Sequence, residues 1–294
     1  MSLKYFKAAL TWIMAFVTVF SLLIFTILAL EPDLSWEAPD LSFPERGGNE
    51  QSAQAQGPAA ENVSAQDEDF QSAEDEAEKA ERERREREEQ LAAAHDAEAE
   101  RLASLTDQEV WQELADYDLA LIGDSRVVGF SLYQCVSDRR IFAKNGATVD
   151  DLQNQMYGAA SLEPDFVFIA YGINDLKAGL GRSPEGYAEY LENKVRALED
   201  LLPDAKIFVQ SIIPARPFLY SETPAYGEVG QYNDALRERC AENGWYYVDN
   251  TAIAEECSQM YANDGIHLGA AFYPYWGKNI LLALYDAQAG MAAE

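Results

Sequence analysis

From residue 106 onward the chain predicts an α/β domain, a three-layer α/β/α sandwich built on a five-stranded parallel sheet. Three observations carry this. Short apolar runs recur at Leu119–Ile122, Arg140–Ala143, Phe166–Tyr171, Ile207–Ile213 and Trp245–Val248. Helix-compatible sequence separates them, most clearly Pro184–Leu202. There Tyr187, Tyr190, Leu191, Val195, Leu198 and Leu202 fall near helical spacing. The run Phe166–Tyr171 is apolar without alternation, as expected of a parallel strand covered on both faces. Strands alternating with helices imply right-handed crossovers.

The chain in order begins with Lys4 and Lys7, then an uncharged apolar run over residues 8–30. Roughly 20 apolar residues span a bilayer as a helix. The lysines on one side, and Glu31 and Asp33 on the other, place residues 1–7 in the cytoplasm and the remainder outside. A cleaved signal peptide is the competing reading. The run is longer than an ordinary signal core, and Leu28-Ala29-Leu30 makes a poor cleavage site, so an uncleaved anchor is preferred. Residues 31–72 carry Pro, Gly, Ser, Gln and acids with few apolar side chains. Such a segment buries too little surface to offset its ordering entropy and reads as a disordered acidic linker.

Residues 73–105 shift to Glu, Arg and Ala. Glu78–Arg82, Glu81–Arg85 and Glu83–Arg87 are helix-stabilising pairs four residues apart, with the acid first. No sustained apolar seam supports a coiled coil. A solvated helical spacer is expected, about 45–50 Å long. His95 lies within it and takes no catalytic role. Thr106 then opens the helix-start signature Thr-Asp-Gln-Glu ahead of Val110, Trp111 and Leu114. Within the domain, helical sequence runs through Val127–Val136, Val149–Met156 as a short helix or turn, Val229–Asn243 ending at Gly244, and Ala270 to about Ala287.

Net charge is −29, from 22 basic and 51 acidic residues. Binding to nucleic acid needs a basic face, so that partner class is excluded. Cys135, Cys240 and Cys257 lack metal-ligand spacing, and two histidines form no cluster with them. Neither a metal nor a cofactor is expected. Buried free thiols are the preferred reading, with a Cys240–Cys257 disulfide as the alternative for an extracytoplasmic domain.

The segment Leu119-Ala120-Leu121-Ile122-Gly123-Asp124-Ser125-Arg126 ends an apolar run and opens a helix. In open α/β sheets, ligands bind outside the carboxyl ends of the strands, so a serine there has its hydroxyl at the mouth of a site. Gly-Asp-Ser alone is weak, since Asp or Ser before a helix commonly caps it. Three later blocks follow strand ends in order: Asn145-Gly146-Ala147, Tyr171-Gly172-Ile173-Asn174-Asp175 and Asp264-Gly265-Ile266-His267. Taken singly, Gly146 reads as a turn glycine, Asn174-Asp175 as a helix cap and Asp264-Gly265 as a plain turn.

Together the four blocks resemble those of the SGNH, or GDSL-type, hydrolases over about residues 115–288. The resemblance implies a flavodoxin-like sandwich and ester chemistry. Ester cleavage needs a nucleophile, a base and donors to the developing oxyanion. Ser125 is then the nucleophile and His267 the base. Asp264, three residues before it, orients the ring. The family's oxyanion hole maps onto the backbone N–H groups of Ser125 and Gly146 and the side-chain amide of Asn174. The first block departs from the family in reading Gly-Asp-Ser-Arg, without Leu after the serine.

Arg126, Asp175 and Tyr220 are further candidates for shaping the substrate site. Arg126 either binds an acidic substrate or pairs with a carboxylate such as Asp175, the pairing being preferred. Tyr133, Tyr157, Phe218, Tyr220 and Tyr226 are candidates for its rim. The segment Pro214–Tyr226, with three prolines and three aromatics, is the best substrate-shaping loop. The leading functional expectation is a membrane-anchored, extracytoplasmic ester hydrolase. Its substrate is an acylated small molecule or an O-acyl group, such as acetyl, on a cell-envelope glycan. An acyltransferase using the same acyl-enzyme is the alternative, and a non-catalytic glycan-binding module the third reading.

Overall fold

The structure, a computed structural model, describes residues 61–290, with side chains from residue 78 onward. The expected cytoplasmic N-terminus, the apolar span 8–30 and the linker up to residue 60 lie outside the described residues. Among the described residues no helix is long and apolar enough to cross a membrane.

The first described helix, α1, runs Glu61–Ala103 and is followed by α2, Asp107–Asp116. The α1 helix starts twelve residues before the expected spacer, inside the segment read as linker. Its 43 residues correspond to roughly 65 Å. The exposed ion pairs on it are not the three expected ones. Lys79 pairs with Glu83 at 3.8 Å, and Arg84 with Glu81 at 2.7 Å and Glu88 at 3.7 Å. Long exposed side chains on such a helix have several carboxylates within one turn, so spacing alone does not choose among them. Nor is all of α1 solvated. Leu102 is buried, Lys278 Nζ donates to Ala103 O at 2.9 Å, and His95 Nδ1 lies 3.0 Å from Asp286 Oδ1. Its last turns therefore dock on the domain. A capping box at Thr106 and Glu109 then opens α2, as expected, which buries Val110 and Leu114.

The sheet strands are β1 Leu119–Gly123, β2 Ile141–Ala143, β3 Phe166–Ala170, β4 Lys206–Gln210 and β5 Tyr246–Val248. All neighbouring pairs are parallel, in the order β2-β1-β3-β4-β5. This is the flavodoxin-like order, whose topological switch point lies between β1 and β3. The helices between strands are α3 Ser125–Leu132, α4 Leu152–Ala160, α5 Ile173–Ala178, α6 Pro184–Glu199 and α7 Val229–Asn243. After β5 come α8 Thr251–Glu256 and α9 Tyr273–Ala289.

Strand side chains alternate between two cores, which makes the three layers. Ala120, Ile122, Val167, Ile169, Ile207 and Val209 face the core completed by α4, α6 and α7. Leu119, Leu121, Phe166, Phe168 and Phe208 face the other, completed by α2, α3 and α9. Two expectations at strand ends are corrected. The α3 helix starts at Ser125 rather than Val127, because Asp124 caps it. The fourth strand ends at Gln210 rather than Ile213, freeing residues 211–213 to contact the site loops. The short helices α5 and α8 were not foreseen, being too brief to show a period. All three cysteines are buried free thiols.

The docking of α1 is testable at Leu102. Truncating a buried leucine costs about 2–5 kcal/mol, so Leu102→Ala should lower the unfolding free energy by an amount in that range in urea titrations. An unchanged midpoint would show that the end of α1 contributes nothing to the domain.

Candidate active site

Ser125 follows β1, Gly146 follows β2 and Asn174 follows β3. Because β1 lies between β2 and β3, the serine sits between the other two segments at the carboxyl edge of the sheet. This is the switch point, where the strand order leaves a crevice. The end of β1 is pressed close to its surroundings. A Cβ on Gly123 would lie 2.4 Å from Ala170 O and 2.5 Å from Val127 Cγ2, so only glycine fits there. The turn that follows directs Ser125 to the first position of α3. Buried Asp124 accepts the Arg126 N–H at 2.8 Å as the helix cap.

The acid–base segment comes from far along the chain. A bridge between Tyr261 and Leu268, with Ala262 N–H donating to His267 O at 2.8 Å, closes a short loop. Within it Asp264 Oδ1 accepts the backbone N–H groups of Ile266 and His267, each at 2.9 Å. Its Oδ2 lies 2.6 Å from His267 Nδ1, and His267 Nε2 lies 3.0 Å from Ser125 Oγ. Partial burial pushes the Asp264 carboxyl up. The hydrogen bonds from His267 and the two amides outweigh that and hold it at about 2. An ionised carboxylate only accepts, so Nδ1 carries the proton and Nε2 is left to accept from the serine hydroxyl. Such a chain can take up the serine proton and return it to a leaving group.

Asn174 and Gly146 meet through the segment after β2. Asn174 Nδ2 donates to Ala147 O at 2.9 Å, which commits one amide hydrogen and leaves the second available. Gly146 has a φ of +74°, a conformation that favours glycine, and open space where a Cβ would stand. Asp175 is fully buried and its Oδ1 accepts the Val149 N–H at 2.8 Å. Burial pushes its carboxyl up to about 7, against that hydrogen bond. Asn174 and Asp175 thus fasten the third block to the second.

The expected Arg126–Asp175 pair does not form. Asp175, after β3, reaches toward the β2 side. Arg126, after β1, reaches the other way and donates to Ile213 O beyond β4 and to Ile266 O. A guanidinium buried to this degree is also closed to an acidic substrate. Of the proposed rim aromatics, Phe218 is exposed and its ring lies against Gly265. Tyr133 Oη donates to Leu268 O at 3.4 Å. Tyr220 donates to Ala215 O within its own loop, Tyr226 is buried, and Tyr157 is exposed on α4. The loop carrying Phe218 is fastened to the acid–base segment. Arg216 N–H donates to Gly265 O at 2.8 Å, and Tyr261 Oη to Pro214 O at 2.7 Å. The bracing roles of Arg126, Arg216 and Tyr261 carry no local pattern in the sequence. The one signal was an arginine directly after the serine. A separate cleft lined by Trp111, Cys135, Arg139 and Arg140 lies at the amino-terminal side of β2 and shares no residue with these segments. Among the described residues no cluster of His, Cys, Asp and Glu is arranged to hold a metal ion.

Comparison with known proteins adds the following. The model of the GDSL-like lipase/acylhydrolase family matches residues 104–274. A search of curated proteins finds no match. Similar solved structures include an acetylxylan esterase mutant from Geobacillus stearothermophilus, 19% identical, covering 58% of this chain and 94% of that one, with a TM-score of 0.43. A carbohydrate esterase family 3 protein from Talaromyces cellulolyticus is 18% identical, with coverages of 57% and 96% and a TM-score of 0.45. A GDSL-like lipase from Bacteroides thetaiotaomicron is 16% identical, with coverages of 66% and 98% and a TM-score of 0.45. Likenesses of this size establish no shared substrate. The family match spans more than half of the chain, across all four blocks, and the chain belongs to the GDSL-like lipase/acylhydrolase family, a hydrolase acting on ester bonds.

Proposed function

We propose that this protein is a serine esterase that removes a short acyl group, acetyl in the leading case, from a cell-envelope glycan. The observation that carries this is the hydrogen-bonded chain Asp264–His267–Ser125 at 2.6 and 3.0 Å. In this reading Ser125 Oγ attacks the ester carbonyl while His267 Nε2 takes its proton. The Ser125 and Gly146 amides and the Asn174 side chain receive the developing oxyanion. His267 then gives the proton to the leaving alcohol, and an acyl-serine remains. Water, deprotonated by the same nitrogen, attacks the acyl-serine, and the acid and the free serine are released.

The openness of the site supports a large alcohol portion of the ester. The Asp264 and His267 side chains are each 49% exposed, which suits a bulky alcohol reaching the serine from solvent. Exposed Phe218 beside Gly265 offers the kind of flat apolar face on which a sugar ring packs. The membrane anchor over residues 8–30 and the extracytoplasmic side of the domain are part of the same proposal. They are supported by the uncharged run and the lysines before it. The helix α1 then serves as the connection to that anchor.

The first test is p-nitrophenyl acetate hydrolysis by the full-length chain beside Ser125→Ala. Turnover by the wild type and its loss in the variant support the reading; equal rates would refute Ser125 as nucleophile. Asn174→Ala should lower kcat by about 10²–10³, the usual cost of one oxyanion donor, and a wild-type kcat would remove Asn174 from the hole. Asp264 also makes a prediction about acid. Its folded pKa lies below the unfolded value of about 3.9, so its stabilising contribution is complete above that pH and is lost as pH falls toward 2. Thermal unfolding followed from pH 5 to pH 2 should therefore drop more steeply for the wild type than for Asp264→Asn. Parallel curves would contradict the assignment.

A further inference from the structure

Arg126 stands next to Ser125, where the family pattern carries leucine, and is only 4% exposed. A buried guanidinium is costly unless its donors are committed. Here Nε donates to Ile266 O at 3.0 Å and Nη1 donates to Ile213 O, while Nη2 is buried without a partner. The Arg126 backbone is held as firmly. Its N–H donates to Asp124 Oδ1 at 2.8 Å, and its carbonyl accepts Tyr273 Oη at 2.8 Å. One residue thus joins the β1 turn, the segment after β4, the acid–base loop and the start of α9. Ile266 immediately precedes His267, so the residue after the nucleophile grips the residue before the base.

We propose that Arg126 is a positioning residue: its guanidinium is the strut that sets His267 Nε2 against Ser125 Oγ. The inference rests on the reading of Ser125 and His267 given above. The Asp264 and His267 side chains are half exposed and their loop belongs to no strand or helix, so their place depends on bonds to buried groups. Leucine is shorter and has no donor to offer Ile266 O. Lysine keeps the charge, but a single ammonium lacks the planar fork that serves two carbonyls at once.

The test uses full-length wild type, Arg126→Met and Arg126→Lys, with folded fraction, kcat and KM measured on p-nitrophenyl acetate. The Asp264–His267 hydrogen bond is followed separately, as the low-field proton resonance of His267 Nδ1–H. A displacement of about 1 Å can cost roughly 10²-fold in rate. Arg126→Met should lose about that much in kcat per folded molecule while KM stays near the wild-type value, and its low-field resonance should shift or broaden. Arg126→Lys should fall between the two. A folded Arg126→Met with wild-type kcat and an unmoved resonance overturns the proposal. If Arg126→Met does not fold, Arg126→Lys decides by the same two readouts. If the wild type turns over no ester, the esterase reading fails. The strut is then judged by the resonance alone, and an unmoved signal in Arg126→Lys overturns it.

Discussion

The contact between His267 Nε2 and Ser125 Oγ joins residues 142 positions apart in the chain. Its 3.0 Å length is only as well defined as the loop that carries the histidine. Ser125 has a rigid base, since it begins a helix at the end of the central strand β1, where Gly123 is wedged against Ala170 and Val127. The Asp264–His267 loop has no such support. It is closed on itself by the Tyr261–Leu268 bridge, then tied down by bonds to Ile266 O, Gly265 O and Pro214 O. Each partner on the domain side sits at or beyond the carboxyl end of a strand, so the sheet edge, not the loop, sets the geometry.

The side proposed to receive the oxyanion follows the same logic with different chemistry. Gly146 and Asn174 arrive on the two strands that flank β1. They are joined by Asn174 Nδ2 to Ala147 O and by Asp175 Oδ1 to Val149 N–H. A buried carboxyl raised to about 7 is an uncommon means of fastening a loop. It places an acceptor where the amide of Val149 would otherwise be buried without a partner. Preorganised donors cost no reorganisation when charge develops, which is the property an oxyanion site requires.

Much of this is legible in the amino-acid sequence. The five strands, the helices α6 and α7, the Thr106 cap and the four blocks follow from apolar runs, helical period and turn residues. These are local properties, each contained in a few consecutive residues. The strand-end positions of Ser125, Gly146 and Asn174 follow too, because strands separated by helices leave their loops at one edge of a parallel sheet. Spacing also brought Asp264 within reach of the His267 ring, since three residues make one turn.

What the sequence could not decide were choices between partners of equal local merit. Arg126 had a carboxylate in Asp175 and found two carbonyls instead, because α3 directs it toward β4 while Asp175 faces the segment after β2. The charged pairs on α1 had several registers of similar energy. The docking of its last turns through Leu102, Ala103 and His95 depends on α9, far along the chain. The sequence by itself determined the five strands, the long helices between them and the order of the four blocks, because those are written in local pattern. The tertiary structure alone decided which buried polar group satisfies which. That depends on the directions in which side chains leave the sheet edge, and no local pattern records them.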